Sequence, residues 1–187
     1  MPSWKVIETE LALRPKSVSV CLAVRAAARL APVIAEGTTE YGPEALEWFH
    51  ATSAVVNAVE AYSRGERVSR FTLDLAAELA RGTANAAAGI VRLIGHSKAA
   101  EDAELAFAAA AFAADAARLS AAPRIAAASM QALRVAHAGG RIPEGLLAAD
   151  YAGADSPLWP DGEPAWSAEG HGKLAAAVGL PVILGLR

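Results

Sequence analysis

The chain has little of what most chemistry requires. It carries one cysteine, Cys21, in 187 residues, so no intramolecular disulfide can form and a reducing, cytoplasmic setting is expected. Cys21 lies between Val20 and Leu22 in an apolar run, which reads as a buried thiol rather than a nucleophile. Aromatic residues make up only 6%, so each one stands out as an anchor or a contact. Excess positive charge is also missing. The net charge is −3, which argues against a nucleic-acid partner. No run reaches the roughly 18 apolar residues of a membrane span, and the short run Ser17–Val24, followed by Arg25 and Arg29, is no secretory leader. No membrane association is expected.

Catalytic motifs are equally scarce. The four histidines, His50, His96, His137 and His171, have no i, i+3 or i+4 relation to one another, so no helical metal pair forms. Asp74 and Glu78 share a helix face near Arg81, but no Glu-x-x-His partner exists to complete a di-metal site. Phosphate-binding loops, dinucleotide fingerprints and nucleophile elbows are absent. The sequence therefore predicts no catalytic residue, no cofactor and no metal, and it points away from an enzyme.

Alanine is what the chain has in quantity, about a quarter of all residues in a 54% apolar sequence. Alanine is the strongest helix former but buries little area. A core built from it requires helices that approach closely. Glycine and proline punctuate the chain into helical segments: 4–13, 17–36 with Pro32 as a kink or stop, 43–64 closed by Gly65, 69–94, 97–119 and 123–138. The expected fold is all-α, an antiparallel bundle of about five main helices over residues 1–140.

Within that bundle, the helix over 43–64 presents Trp48, Thr52, Val55, Val59 and Tyr62 as a core stripe, widened by Phe49 and Val56, with Glu60 away from it. Residues 69–94 repeat Leu75, Leu79, Ala86, Ile90 and Leu93, also read as core. Gly82 and Gly89 lie inside that helix, where each costs about 1 kcal/mol against alanine. A close helix crossing at one of them would explain the cost. Leu105, Phe112 and Leu119 recur every seven residues along the next helix.

After residue 140 the character changes. Acids and bases balance at fourteen each in residues 1–140, so the deficit lies in residues 141–187. A short helix is expected near 143–149. Residues 152–172 then carry three prolines, four glycines and two tryptophans without periodicity. An irregular extension that packs on the bundle is predicted, with Leu180–Leu186 extended. Trp159 and Trp166 either cap the bundle or dock a partner, since indoles are favoured contact residues. Trp159, Trp166, Trp48 and Phe49 are the candidate partner contacts.

The helix ending Asn57–Gly65, the pairs and triplets Ala76-Ala77 and Ala86-Ala87-Ala88, and the alanine-dominated stretches 99–118 and 121–138 together resemble the Imm5-like immunity proteins, over roughly residues 17–138. The resemblance implies a non-enzymatic protein that binds and neutralises a toxin, and it carries over no site residue. A small-ligand or regulatory bundle with a cavity between its helices is the alternative.

Overall fold

The computed structural model describes residues 4–35, 44–94, 98–136, 144–153 and 155–178. Among these the fold is all-α. Its helices are α1 (Trp4–Ala12), α2 (Lys16–Leu30), a 3₁₀ turn (Ala31–Val33), α3 (Glu44–Ser63), α4 (Arg70–Ile94), α5 (Lys98–Arg118), α6 (Ala122–Ala136), α7 (Glu144–Ala152) and α8 (Ala165–Val178). Helices α2 and α5 form the centre. Helix α2 touches α3, α5, α6 and α7, while α5 touches α3, α4 and α6. The pairs Arg81–Asp115 and Asp74–Arg118 show that α4 and α5 run antiparallel.

Local signals explain most boundaries. Gly65 takes φ +79°, a left-handed conformation that glycine adopts without strain. Its N–H donates to the Tyr62 carbonyl and the Glu66 N–H to that of Ala61, which caps α3 in a Schellman motif. Ser69 Oγ accepts from the Thr72 N–H and caps α4. Helix α2 starts at Lys16 after Pro15 with no side-chain cap bond. It ends at Leu30, and Pro32 sits in the 3₁₀ turn that follows, the early stop expected of it.

The core departs from the expected stripes in an instructive way. Ala103, Ala106, Phe107, Ala110, Ala113, Ala114 and Ala117 of α5 are buried, whereas Leu105 is only partly so and Leu119 is 44% exposed. On α4 the buried side is Leu73, Ala76, Ala77, Ala80, Thr83 and Ala87, and Leu75 and Leu79 face outward. Small side chains let the two helices come together, and the bulky ones are left over. Reading bulk as burial misplaces the face. On α3, Thr52, Val55, Val56 and Val59 are buried as expected, but so is Glu60. The helix carries Trp48 and Phe49, whose side chains lie outside the described residues.

Neither Gly82 nor Gly89 sits at a crossing, because a Cβ added at either would meet nothing within 4 Å. The close approach is elsewhere. A Cβ at Gly170 would lie 2.5 Å from the Pro32 carbonyl oxygen and 2.8 Å from its Cβ, so α8 rests directly on the 3₁₀ turn. The extension beyond residue 140 is thus more ordered than its composition suggests. The three prolines of residues 152–172 all precede α8, and Pro164 lends its carbonyl to the N–H groups of Ser167 and Ala168, a position where a missing N–H costs nothing. The expected extended segment 180–186 lies outside the described residues.

Candidate functional site

The tail is held by charge. Arg25 and Arg29 stand four residues apart on α2, so they share one helix face. That face meets Asp150 of α7 and the loop after it. Arg25 Nε reaches Asp150 Oδ1 at 2.5 Å, and Arg29 grips both carboxylate oxygens at 2.6 and 2.7 Å. Further guanidinium N–H groups donate to the carbonyls of Ser156, Pro157 and Leu158. All three charged side chains are buried, with 2% of Arg25 and none of Arg29 or Asp150 exposed. Charges can stand in such a place because both guanidinium groups bond the carboxylate and the adjoining backbone carbonyls.

Trp159 continues this arrangement. Its ring lies 5.5 Å from the Arg29 guanidinium, within cation–π range, and it meets Trp166 edge-on at 5.8 Å. Both indoles are partly buried against the core. The structure therefore brings two of the sequence-predicted contacts together, on their own bundle, at α2 and the 3₁₀ turn. Sequence reasoning missed Arg25, Arg29 and Asp150. The signal was present: two arginines at i, i+4 within a run otherwise apolar all round its helix, which must find partners inside the molecule.

The other polar groups are less promising for chemistry. Ser167 Oγ and His171 Nδ1 both bond to Glu163 Oε1, at 2.5 and 2.7 Å. The carboxylate stands between hydroxyl and imidazole, so the histidine is not placed to take the serine's proton as in a nucleophilic triad. Burial pushes the Cys21 thiol up to about 11, against the pull of Arg25, which keeps it protonated and unreactive. Among the described residues, no three His, Cys, Asp or Glu side chains gather as a metal site. His50 is exposed on α3, while His96 and His137 lie outside the described residues. No helix of the described residues is long and apolar enough to cross a membrane.

A crevice of about 360 Å³ opens at one end of the bundle between Lys16, Tyr62, Leu73, Asp74, Arg118 and Leu119. Its polar groups are largely engaged with one another. Lys16 Nζ donates to the Ala117 carbonyl at 2.7 Å, and Arg118 pairs with Asp74 at 2.6 Å.

The outer face of α4 is the most unusual surface. Phe71 is 76% exposed, Leu75 58% and Leu79 44%. Eight positions between 71 and 86 are exposed, and Glu78 alone among them is charged. A helix on the edge of a bundle ordinarily turns charge toward water. Here the charges flank the face instead. Asp74 and Arg81 turn toward α5, bonding Arg118 and Asp115, and Arg81 also neutralises Glu78 at 2.5 Å.

No family model, curated protein or solved structure matches this chain.

Proposed function

We propose that this protein is a non-enzymatic protein-interaction module whose contact surface is the outer face of α4. The single observation that carries this reading is the exposure of Phe71, Leu75 and Leu79 in a row along an edge helix. Contiguous apolar surface of this kind marks interaction sites. The tail tryptophans, by contrast, are partly buried against their own bundle, with ring contacts between Trp159 and Arg29 and between the two indoles. The resemblance to Imm5-like immunity proteins implies one use for such a module, neutralising a toxin, and the proposal includes it.

The test is native mass spectrometry on the protein purified from the cells that make it. A complex of defined stoichiometry is expected. It should disappear in Leu75→Glu/Leu79→Glu and persist in Trp166→Ala. Loss in the tryptophan variant alone would move the contact surface to the tail. A second reading, binding of a small amphipathic anion, is favoured by the crevice, where Lys16, Arg70 and Arg118 outnumber Asp74 beside Tyr62 and Leu73. An added mass of a few hundred daltons, lost on Lys16→Met, would support that reading over the first.

A further inference from the structure

The outer face of α4 has a pattern as well as an exposure. Leu75, Leu79, Gly82, Ala86 and Gly89 are spaced four, three, four and three residues apart, the alternation that forms the seam of a helix pair. The first half of this seam is bulky and the second half small. Open space lies beyond Gly82 and Gly89, where a Cβ would touch nothing of the chain itself. Each glycine lowers helix stability, and no contact within the molecule repays it.

We propose that two copies of this chain associate through α4, antiparallel about a two-fold axis, the leucine half of each helix seated on the glycine–alanine half of the other. The occupant follows from the register. An antiparallel pairing that sets Leu79 against Gly82 of the second copy also sets Leu75 against Ala86 and Thr72 against Gly89. Every layer then joins a larger side chain to a smaller one, as a self-complementary interface requires. Parallel pairing would stack leucine on leucine and leave gaps at both glycines, which close packing disfavours. Charge agrees with this choice. Glu78, the one charged residue exposed between 71 and 86, is already paired with Arg81 of its own chain, and in this register it lies beside Asn85 of the second copy rather than beside its own equivalent. The seam from 71 to 89 is about 28 Å long at helical rise. That is toward the small end of stable interfaces, so reversible dimerisation in the micromolar range is expected.

This inference rests on the reading of α4 as the contact face. Its test is sedimentation equilibrium of the full chain from roughly 1 to 300 µM, with circular dichroism to confirm that each variant is folded. The mass should rise from one copy to two across that range. Leu79→Glu should remain a single copy throughout. Gly82→Leu decides between a fitted seam and general stickiness. It adds apolar surface where the monomer has room, so stickiness would increase association. A fitted seam would be overpacked and weakened by about tenfold or more. Because residue 79 faces residue 82, the exchange Leu79→Ala/Gly82→Leu should restore dimers. A wild-type chain that stays monomeric overturns the inference, as does stronger association of Gly82→Leu or failure of the exchange to rescue. A monomeric wild type that still loses a heterologous complex on Leu75→Glu/Leu79→Glu would remove the second copy alone and leave α4 as the contact face.

Discussion

The inner face of α2 and the outer face of α4 invert the usual partition of residues. Helix α2 takes two guanidinium groups fully inside, while α4 leaves a phenylalanine and two leucines in water. Buried charge is expensive and survives only when paired and hydrogen-bonded. The α2 cluster meets that condition with one carboxylate shared by both guanidinium groups and three backbone carbonyls. The α4 face satisfies nothing internally. The difference separates what holds this molecule together from what it presents to solvent, and it is the ground on which the apolar stripe, and not the polar cluster, is proposed as the contact surface.

The sharpest way to break that contrast is to remove one member of the buried cluster. Asp150→Ala leaves Arg25 and Arg29 inside without their carboxylate, and breaking a buried pair in this way costs about 3–5 kcal/mol. Against a total stability of about 5–15 kcal/mol, a large fall in melting temperature is expected, with Trp159 fluorescence shifting as the loop after α7 detaches. A monomer melting unchanged would show that the cluster contributes little and that the tail is held by its indoles alone.

Glycines sharpen the same contrast at smaller scale. At Gly170 a methyl group would strike the Pro32 backbone, so Gly170→Ala should destabilise by about 1–3 kcal/mol through overpacking, despite better helix propensity. At Gly89 the space is open, so Gly89→Ala should stabilise the monomer by about 0.5–1 kcal/mol. Urea unfolding of the two variants, below the concentration at which chains associate, measures both. Equal effects at the two positions would mean that α8 does not rest on the 3₁₀ turn.

These same residues show how much the sequence discloses. The all-α class, the approximate positions of most helices and the Gly65 cap follow from local chemistry, because propensity and capping act over a few residues. The number does not, since the described residues form eight helices where about five main ones were expected. Which face each helix buries does not follow so readily. In an alanine-rich chain the core goes to whichever side allows the closest approach, and Leu75 and Leu79 lose to Ala76, Ala77 and Ala80. That contest depends on α5, thirty residues along the chain. Trp159 and Trp166 were legible as anchors, but Arg29, the partner of Trp159, is more than a hundred residues away. Only its odd place in an apolar run hinted at it. Helix α8 was hidden by averaging prolines that all lie before it with the helix that follows.

The smallest expected effect concerns Glu60, on α3 close to the α2 cluster. Burial raises its carboxyl above the ordinary range by more than Arg64 and Arg25 lower it. Such a group binds its proton more tightly folded than unfolded. The stability it contributes is therefore present at acid pH, below the unfolded value near 4.5, and is lost as pH rises through the raised folded value. Near neutrality the ionised carboxylate is a modest liability, even though Arg64 meets it at 2.7 Å. Glu60→Gln keeps an acceptor for Arg64 and cannot ionise. Its stability relative to the wild type should increase from pH 4 to pH 7, and the urea midpoints of the two proteins should separate in that direction. Other carboxylates titrate in both proteins and cancel in the difference. A gap that stays constant with pH, or one that opens in favour of the wild type, would show that the Arg64 pair outweighs the cost of burial. The polar cluster around α2 would then extend its charge matching to α3.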